Sequence, residues 1–394
     1  MKWQLIEKKE EGGIKIPSNW LYPHYYEALN ALFRIENALR VFVYIVLKNA
    51  FKDKWLGINI MSDDAAETTI GKIAKQRMNQ TKRFGYLGYL VPCPLMYLTG
   101  GELIRLITSD SYWKYFNAYF PGSKEIINNK LDEISSVRNA LAHFRPIKSD
   151  DLDLVKQNAK HVMSKIETRL IDIMGCANIV PTNTKDAWYR ELKTLGSDHC
   201  LFSFHQSDDE VWIRISFEYS CPILHTKTGR GYRRYRVLNI NTPAILHSFS
   251  ELNSLLIFMY EQVEFPEMID DSPKFKKSAE MVFSRAILTT EYKNLKVQLE
   301  NLLLLIAEET GLIQDDNLAR GEIIQAVDTG ADLKDYGEGH KYWHFSYNNL
   351  RCRTTESDPP EYWGELSYSS EDYITSTNIY PWMPVDVSED EIPF

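Results

Sequence analysis

The chain has 394 residues, 44% of them hydrophobic and 12% aromatic, which is enough apolar mass for two cores of ordinary size and excludes a disordered polypeptide. Five cysteines, Cys93, Cys176, Cys200, Cys221 and Cys352, stand far apart with no Cys-x-x-Cys pair; this argues against a zinc site or a disulfide framework and fits a reducing cytoplasm. The net charge of −9 discourages a nucleic-acid partner until the halves are separated: residues 1–180 hold 25 Lys and Arg against 19 Asp and Glu, residues 181–394 hold 20 against 35. Residues 1–8 carry charge where a signal peptide is apolar, and no apolar run approaches the roughly 20 residues that span a bilayer, so a soluble cytoplasmic protein without a membrane partner is expected.

Residues 22–55 place Tyr25, Leu29, Leu32, Phe33, Leu39, Val43 and Leu47 at helical spacing, interrupted by the polar trio Glu36, Asn37 and Arg40. Glu36 and Arg40, four apart, suit a surface pair; alternatively Glu36 faces a second helix. A basic run follows with Lys72, Lys75, Arg77, Lys82 and Arg83, then Tyr86 and Tyr89. Charges for phosphate beside stacking platforms suit a single strand, and a solvated helix face is the competing reading. An aromatic cluster comes next, at Tyr112, Trp113, Tyr115, Phe116, Tyr119 and Phe120. Residues 126–143 form an amphipathic helix with apolar positions 127, 131, 134, 137 and 141, stopped by Pro146. Ser149-Asp150-Asp151 then caps a helix over 152–174 that Gly175 ends.

Beyond a linker at 176–187 the pattern changes. Residues 210–217 alternate like a strand, with 232–240 as its expected partner across the turn at 228–231. Helices are expected near 245–263 and 275–310, and aromatic strand-like runs at 343–347 and 362–368. Arg230, Arg233, Arg234 and Arg236 interleave with Tyr232 and Tyr235; on a strand, Arg233 and Tyr235 point one way and Arg234 and Arg236 the other. Such a run suits a nucleic-acid backbone, with Arg233 taken as the candidate contact, or a solubilised sheet edge. The histidines of this half stand at no metal-ligand spacing, so no metal or other cofactor is expected. Residues 386–394 read as an acidic tail.

The most informative string is Arg138-Asn139-Ala140-Leu141-Ala142-His143, followed by Phe144-Arg145-Pro146. RNA brings its own nucleophile in the 2'-hydroxyl, so cutting it requires proton transfer and a fixed cation. An imidazole titrates near neutrality and suits the first task; a guanidinium offers paired donors to phosphate oxygens and suits the second. Asn139 and His143 share a helix face, whereas Arg138 and His143 lie roughly 140° apart, so one helix makes half a site. Arg and His near a helix C-terminus also complement its dipole without any chemistry.

This Arg-x4-His string, with Asn after the Arg, resembles the motif of HEPN-domain ribonucleases, and Glu36-Asn37-Ala38-Leu39-Arg40 resembles the first helix of HEPN domains in phage-defence and toxin proteins. The resemblance covers about residues 18–175. It implies an α-helical bundle there, followed by an α+β domain at 188–385 that senses a trigger or inhibitor or restrains the site. It further implies a homodimer through the motif helices and metal-independent cleavage of RNA to cyclic phosphate ends, in antiphage defence, abortive infection or a toxin–antitoxin pair. Arg138, Asn139 and His143 would be catalytic, Glu36 would orient Arg138, and Arg145 with the basic run would hold RNA. A non-catalytic RNA-binding scaffold is the rival. Metal-dependent or nucleotidyl chemistry in the second half ranks last, for want of a Gly-rich phosphate loop or a carboxylate cluster.

Overall fold

The computed structural model describes residues 25–60, 68–83, 93–143, 145–269, 272–316, 319–335 and 341–366. Expectations for residues 18–24, Tyr86, Tyr89, Phe144 and the tail at 386–394 lie outside them. Helices come first: α1 (Tyr25–Phe51), α2 (Ile70–Lys82), α3 (Gly100–Thr108), α4 (Trp113–Phe116), α5 (Lys124–Ala142) and α6 (Ser149–Gly175). They are followed by β1 (Asn178–Ile179), α7 (Ala187–Leu192), β2 (Cys200–Gln206), β3 (Trp212–Cys221), β4 (Ile223–Gly229), β5 (Tyr232–Ile240), α8 (Thr242–Ser248) and α9 (Ser250–Leu255). The chain continues through β6 (Phe258–Val263), β7 (Glu267–Ile269), β8 (Ser272–Ser284), α10 (Arg285–Asp315), β9 (Ile324–Asp335), β10 (Lys341–Ser346) and β11 (Tyr362–Glu365).

The expected succession of a helical-bundle domain over 18–175 and then an α+β domain is not what forms. Described residues 25–43 and 98–168 make one compact unit, and 44–97 together with 169–366 make the other. The end of α1 therefore belongs with the sheets. The reason lies in three side-chain anchors: the Tyr44 hydroxyl donates to Ile257 O at 2.7 Å, and buried Lys48 donates to Asn253 O at 3.0 Å and pairs with Glu361 at 2.6 Å. The protein is an α+β architecture whose units interleave in sequence.

The first unit is helical. Its α5 buries Ile127, Leu131, Ile134, Val137 and Leu141, the spacing that made it legible, and starts at Ser123, whose side chain accepts the Ile126 N–H. A capping box of Thr99 with Glu102 opens α3, which buries Leu103, Ile104, Leu106 and Ile107. Phe42 of α1 meets Tyr119 and Phe120 edge-on, with ring centroids 5.2 and 5.9 Å away, and Phe116 and Phe120 of the aromatic cluster are buried as core.

In the second unit one sheet runs β1-β2-β3-β8-β6-β11, with β7 also on β8 and only the β11–β6 pair parallel; the other runs β10-β9-β5-β4, all antiparallel. Thus β3 pairs with β2 and β8, and the partner of β5 across Gly229-Arg230-Gly231 is β4. The chain changes sheets at Pro222, whose carbonyl accepts the Leu238 N–H at 2.8 Å. The expected helix over 245–263 is two short helices and then β6, and that over 275–310 begins as β8. Both strands are buried on both faces over most of their length, so neither shows the alternation that marks a half-buried strand. Within the expected linker, β1 pairs with β2 and Thr184 N closes a turn on Pro181 O.

Glu309 of α10 accepts the backbone N–H groups of Glu322, Ile323 and Ile324 at 2.7, 2.9 and 2.8 Å. It holds the entry to β9 while 7% exposed. Glu309→Ala should cost about 3 kcal/mol or more, read from the urea midpoint, because three donors lose their acceptor. Glu309→Gln, keeping one acceptor oxygen, should cost visibly less.

Candidate active site

The motif occupies the last turn of α5. His143 is its C-cap, with backbone N–H groups of His143 and Arg145 reaching back to Ala140 O at 3.2 and 2.9 Å. Taking 100° per residue, Arg138 lies only about 40° from the centre of the buried line of α5, while Asn139 and His143 lie about 140° and 180° from it. Burial agrees: Arg138 is partly covered, and Asn139 and His143 are exposed.

Arg138 meets α1. Its Nε stands 3.3 Å from Glu36 Oε2, and its Nη1 donates to Asn139 Oδ1 at 3.4 Å. The other Glu36 oxygen takes Arg40, whose guanidinium also donates to Asn37 Oδ1 at 3.0 Å and to Leu98 O at 3.3 Å. One carboxylate, 16% exposed, therefore serves two guanidinium groups. This arrangement borders a half-open cleft of about 330 Å³, lined by Tyr25, Leu29, Phe33, Glu36, Arg40 and Arg138. Partial burial pushes the Tyr25 phenol above its ordinary value, and its hydroxyl donates to Leu141 O at 3.5 Å.

A single chain thus brings Arg138, Asn139 and Glu36 together and leaves His143 outside the cleft. Among the described residues no side chain orients the His143 imidazole. Arg145 is exposed just past the helix. The basic run belongs to the other unit: Ile70, Ile73 and Ala74 bury one side of α2, and Lys72, Lys75, Lys82 and Arg83 are exposed. Arg77 donates to Tyr97 O, and Lys82 stands 3.5 Å from Glu356 in a half-exposed surface pair. Arg233 stacks on the Trp343 ring at 4.6 Å. The cleft residues Tyr25, Leu29, Phe33 and Arg40 were missed as site residues; the signal available was their spacing on one face of α1 with Glu36.

Among the described residues no three His, Cys, Asp or Glu side chains converge as metal ligands. Compared with models of known families, with curated proteins and with solved structures, the chain finds no match.

Burial pushes the Cys176, Cys200 and Cys221 thiols up to about 12. Thiolate, the reactive form, is then scarce in all three until the pH approaches that value. A disulfide-exchange reagent at mildly alkaline pH should titrate only Cys93 and Cys352 in the folded protein and all five cysteines in denaturant. Rapid reaction of a third thiol under native conditions would contradict the burial.

Proposed function

We propose that the protein is an endoribonuclease that cleaves RNA without a metal, by attack of the substrate's own 2'-hydroxyl, and that two copies of α5 complete its site. One observation carries the reading: Arg138 is held by Glu36 at the lip of a cleft, while His143, the group suited to proton transfer, stands on the far side of the same helix. The Arg-x4-His resemblance to HEPN ribonucleases supports the same chemistry, and it stands on the motif rather than on a separate bundle.

In this reading His143 takes the 2'-hydroxyl proton or returns one to the leaving 5'-oxygen, the 2'-oxygen bonds to phosphorus as the P–O5' bond breaks, and a cyclic phosphate remains. Arg138, fixed in place by Glu36, opposes the charge that grows on the phosphoryl oxygens. Asn139 holds the guanidinium from its other side and offers its amide to the scissile region. The missing orientation of His143 is supplied across the pair of α5 helices. Antiphage defence, abortive infection or a toxin's role fits a nuclease whose activity must be restrained, with the sheet unit as the part that senses a trigger. A non-catalytic RNA-binding scaffold is the second reading, favoured by the unoriented His143.

The test incubates the full chain with mixed single-stranded RNA in excess EDTA. The parent should cut and leave 2',3'-cyclic phosphate ends. His143→Ala should lower the rate by about 10²–10⁴-fold, and Arg138→Ala by about 10²–10³-fold. Growth arrest on expression should vanish with the His143 change, and sedimentation should show a dimer. A His143→Ala protein that cuts at the parent's rate would sink the assignment; RNA bound by the parent and never cut would select the scaffold.

A further inference from the structure

We propose that the outer face of the β10-β9-β5-β4 sheet binds single-stranded nucleic acid, at a place separate from the α5 site and whether or not that site cuts. Residues directly paired in an antiparallel sheet share a face. The pairings Lys227 with Arg234, Arg236 with Asp328, Tyr232 with Asp332, and Lys334 with Tyr342 therefore gather these side chains on one side. Asp332 is half-buried and the rest are exposed, Tyr232 at 37% and Tyr342 at 43%. The opposite side carries Tyr235 and Phe345, both packed on Phe275, so it is the inner one. Arg233, paired with Ala331 and stacked on Trp343, belongs to the inner side.

Two features make the outer face more than a solvated surface. The first is its floor. A Cβ at Gly229 would come within 2.2 Å of the Tyr232 ring, and one at Gly330 within 2.8 Å of Arg234 Nη1. The ring and the Arg234 side chain therefore lie down on bare backbone. Glycine weakens a strand, and Gly330, inside β9, marks a close approach, whereas Gly229 ends β4 at the turn. Here what approaches is a pair of planar groups, with the Arg234 guanidinium 5.3 Å from the Tyr232 ring centroid and fixed by Asp332 at 2.9 Å. Flat π-surfaces aligned with a sheet are what unstacked bases pack on.

The second feature is charge. In a half of the chain with 20 cationic against 35 acidic residues, this face sets Lys227, Arg234, Arg236 and Lys334 against Asp328 and Asp332. Cations interleaved with aromatic rings, and no exposed aliphatic anchor, suit phosphates and bases better than a protein's apolar interface core. A duplex hides its base faces and gains nothing from the flat groups.

The experiment uses the full chain carrying His143→Ala, so that a fluorescent RNA probe stays intact, and reads anisotropy at fixed salt. Single-stranded RNA should bind, single-stranded DNA comparably, and duplex RNA far more weakly. Tyr232→Ala and Arg234→Gln should each weaken binding by about tenfold. Gly229→Ala, which lifts the ring, should weaken it with an unchanged thermal melt; that variant separates the platform from misfolding. Losses that follow Lys72→Gln and Lys75→Gln while Tyr232→Ala has no effect would overturn the proposal. So would equal affinity for duplex, an absence of binding, or a preference for polyglutamate over RNA.

Discussion

A buried ammonium joins the two sheets of the larger unit. Lys277 of β8, with none of its side chain exposed, stands 2.9 Å from Glu261 of β6 and donates to Ile240 O at the end of β5 and to Leu350 O after β10, at 3.0 and 2.8 Å. Its Nζ also lies 3.1 Å from Cys352 Sγ, and Glu261 accepts the Cys352 N–H at 2.7 Å. Each partner alone would be a stranded charge costing about 3–5 kcal/mol; together they gain little over an apolar pair of the same shape. What they supply is register, since only one placement of β5, β6, β8 and the 350–352 segment satisfies all of these groups.

The smaller unit holds its cation differently, paired with a carboxylate at the lip of a cleft. An arginine on a free surface samples many rotamers and loses that freedom on meeting phosphate. Glu36 removes part of the cost for Arg138 in advance, and Arg40 keeps the carboxylate from neutralising Arg138 fully, because one negative charge is divided between two positive ones. The pair plus Arg40 carries net positive charge beside a cleft whose other walls are mostly apolar, where electrostatic attraction is stronger than in open solvent.

How far the sequence reveals this depends on whether the information is local. The helix α5 is legible because its five buried positions repeat at helical spacing and a serine and a proline bracket it. The proximity of Glu36 and Arg138 is less so: a glutamate interrupting an apolar stripe shows that something polar faces it, but not which residue. The interleaving of the units is invisible, since Tyr44 and Lys48 look like ordinary helical residues and their partners lie some 200 to 310 positions away. The strands β6 and β8 fail for a different reason, double-sided burial, which erases the two-residue period. Alternation on β5 is readable, but which of its two sides faces solvent depends on Phe275, a residue of another sheet.

On the proposed reading, the two surfaces ask different things of a strand. At the α5 site the demand would be geometric, because proton transfer and charge stabilisation fail when a group is displaced by about an ångström. At the sheet the demand would be only that bases lie flat over Tyr232 and Arg234, which tolerates sequence and small shifts. A protein that holds a strand loosely in one place and acts on it strictly in another gains local concentration without committing the strict site to a sequence, since a second contact on a tethered strand is intramolecular. Separate surfaces also allow restraint. Occupying the sheet need not complete the α5 site, because His143 and Arg138 lie on different sides of their helix and, among the described residues, no contact brings them together. Cutting would then respond steeply to the concentration of the chain itself as well as to the presence of RNA.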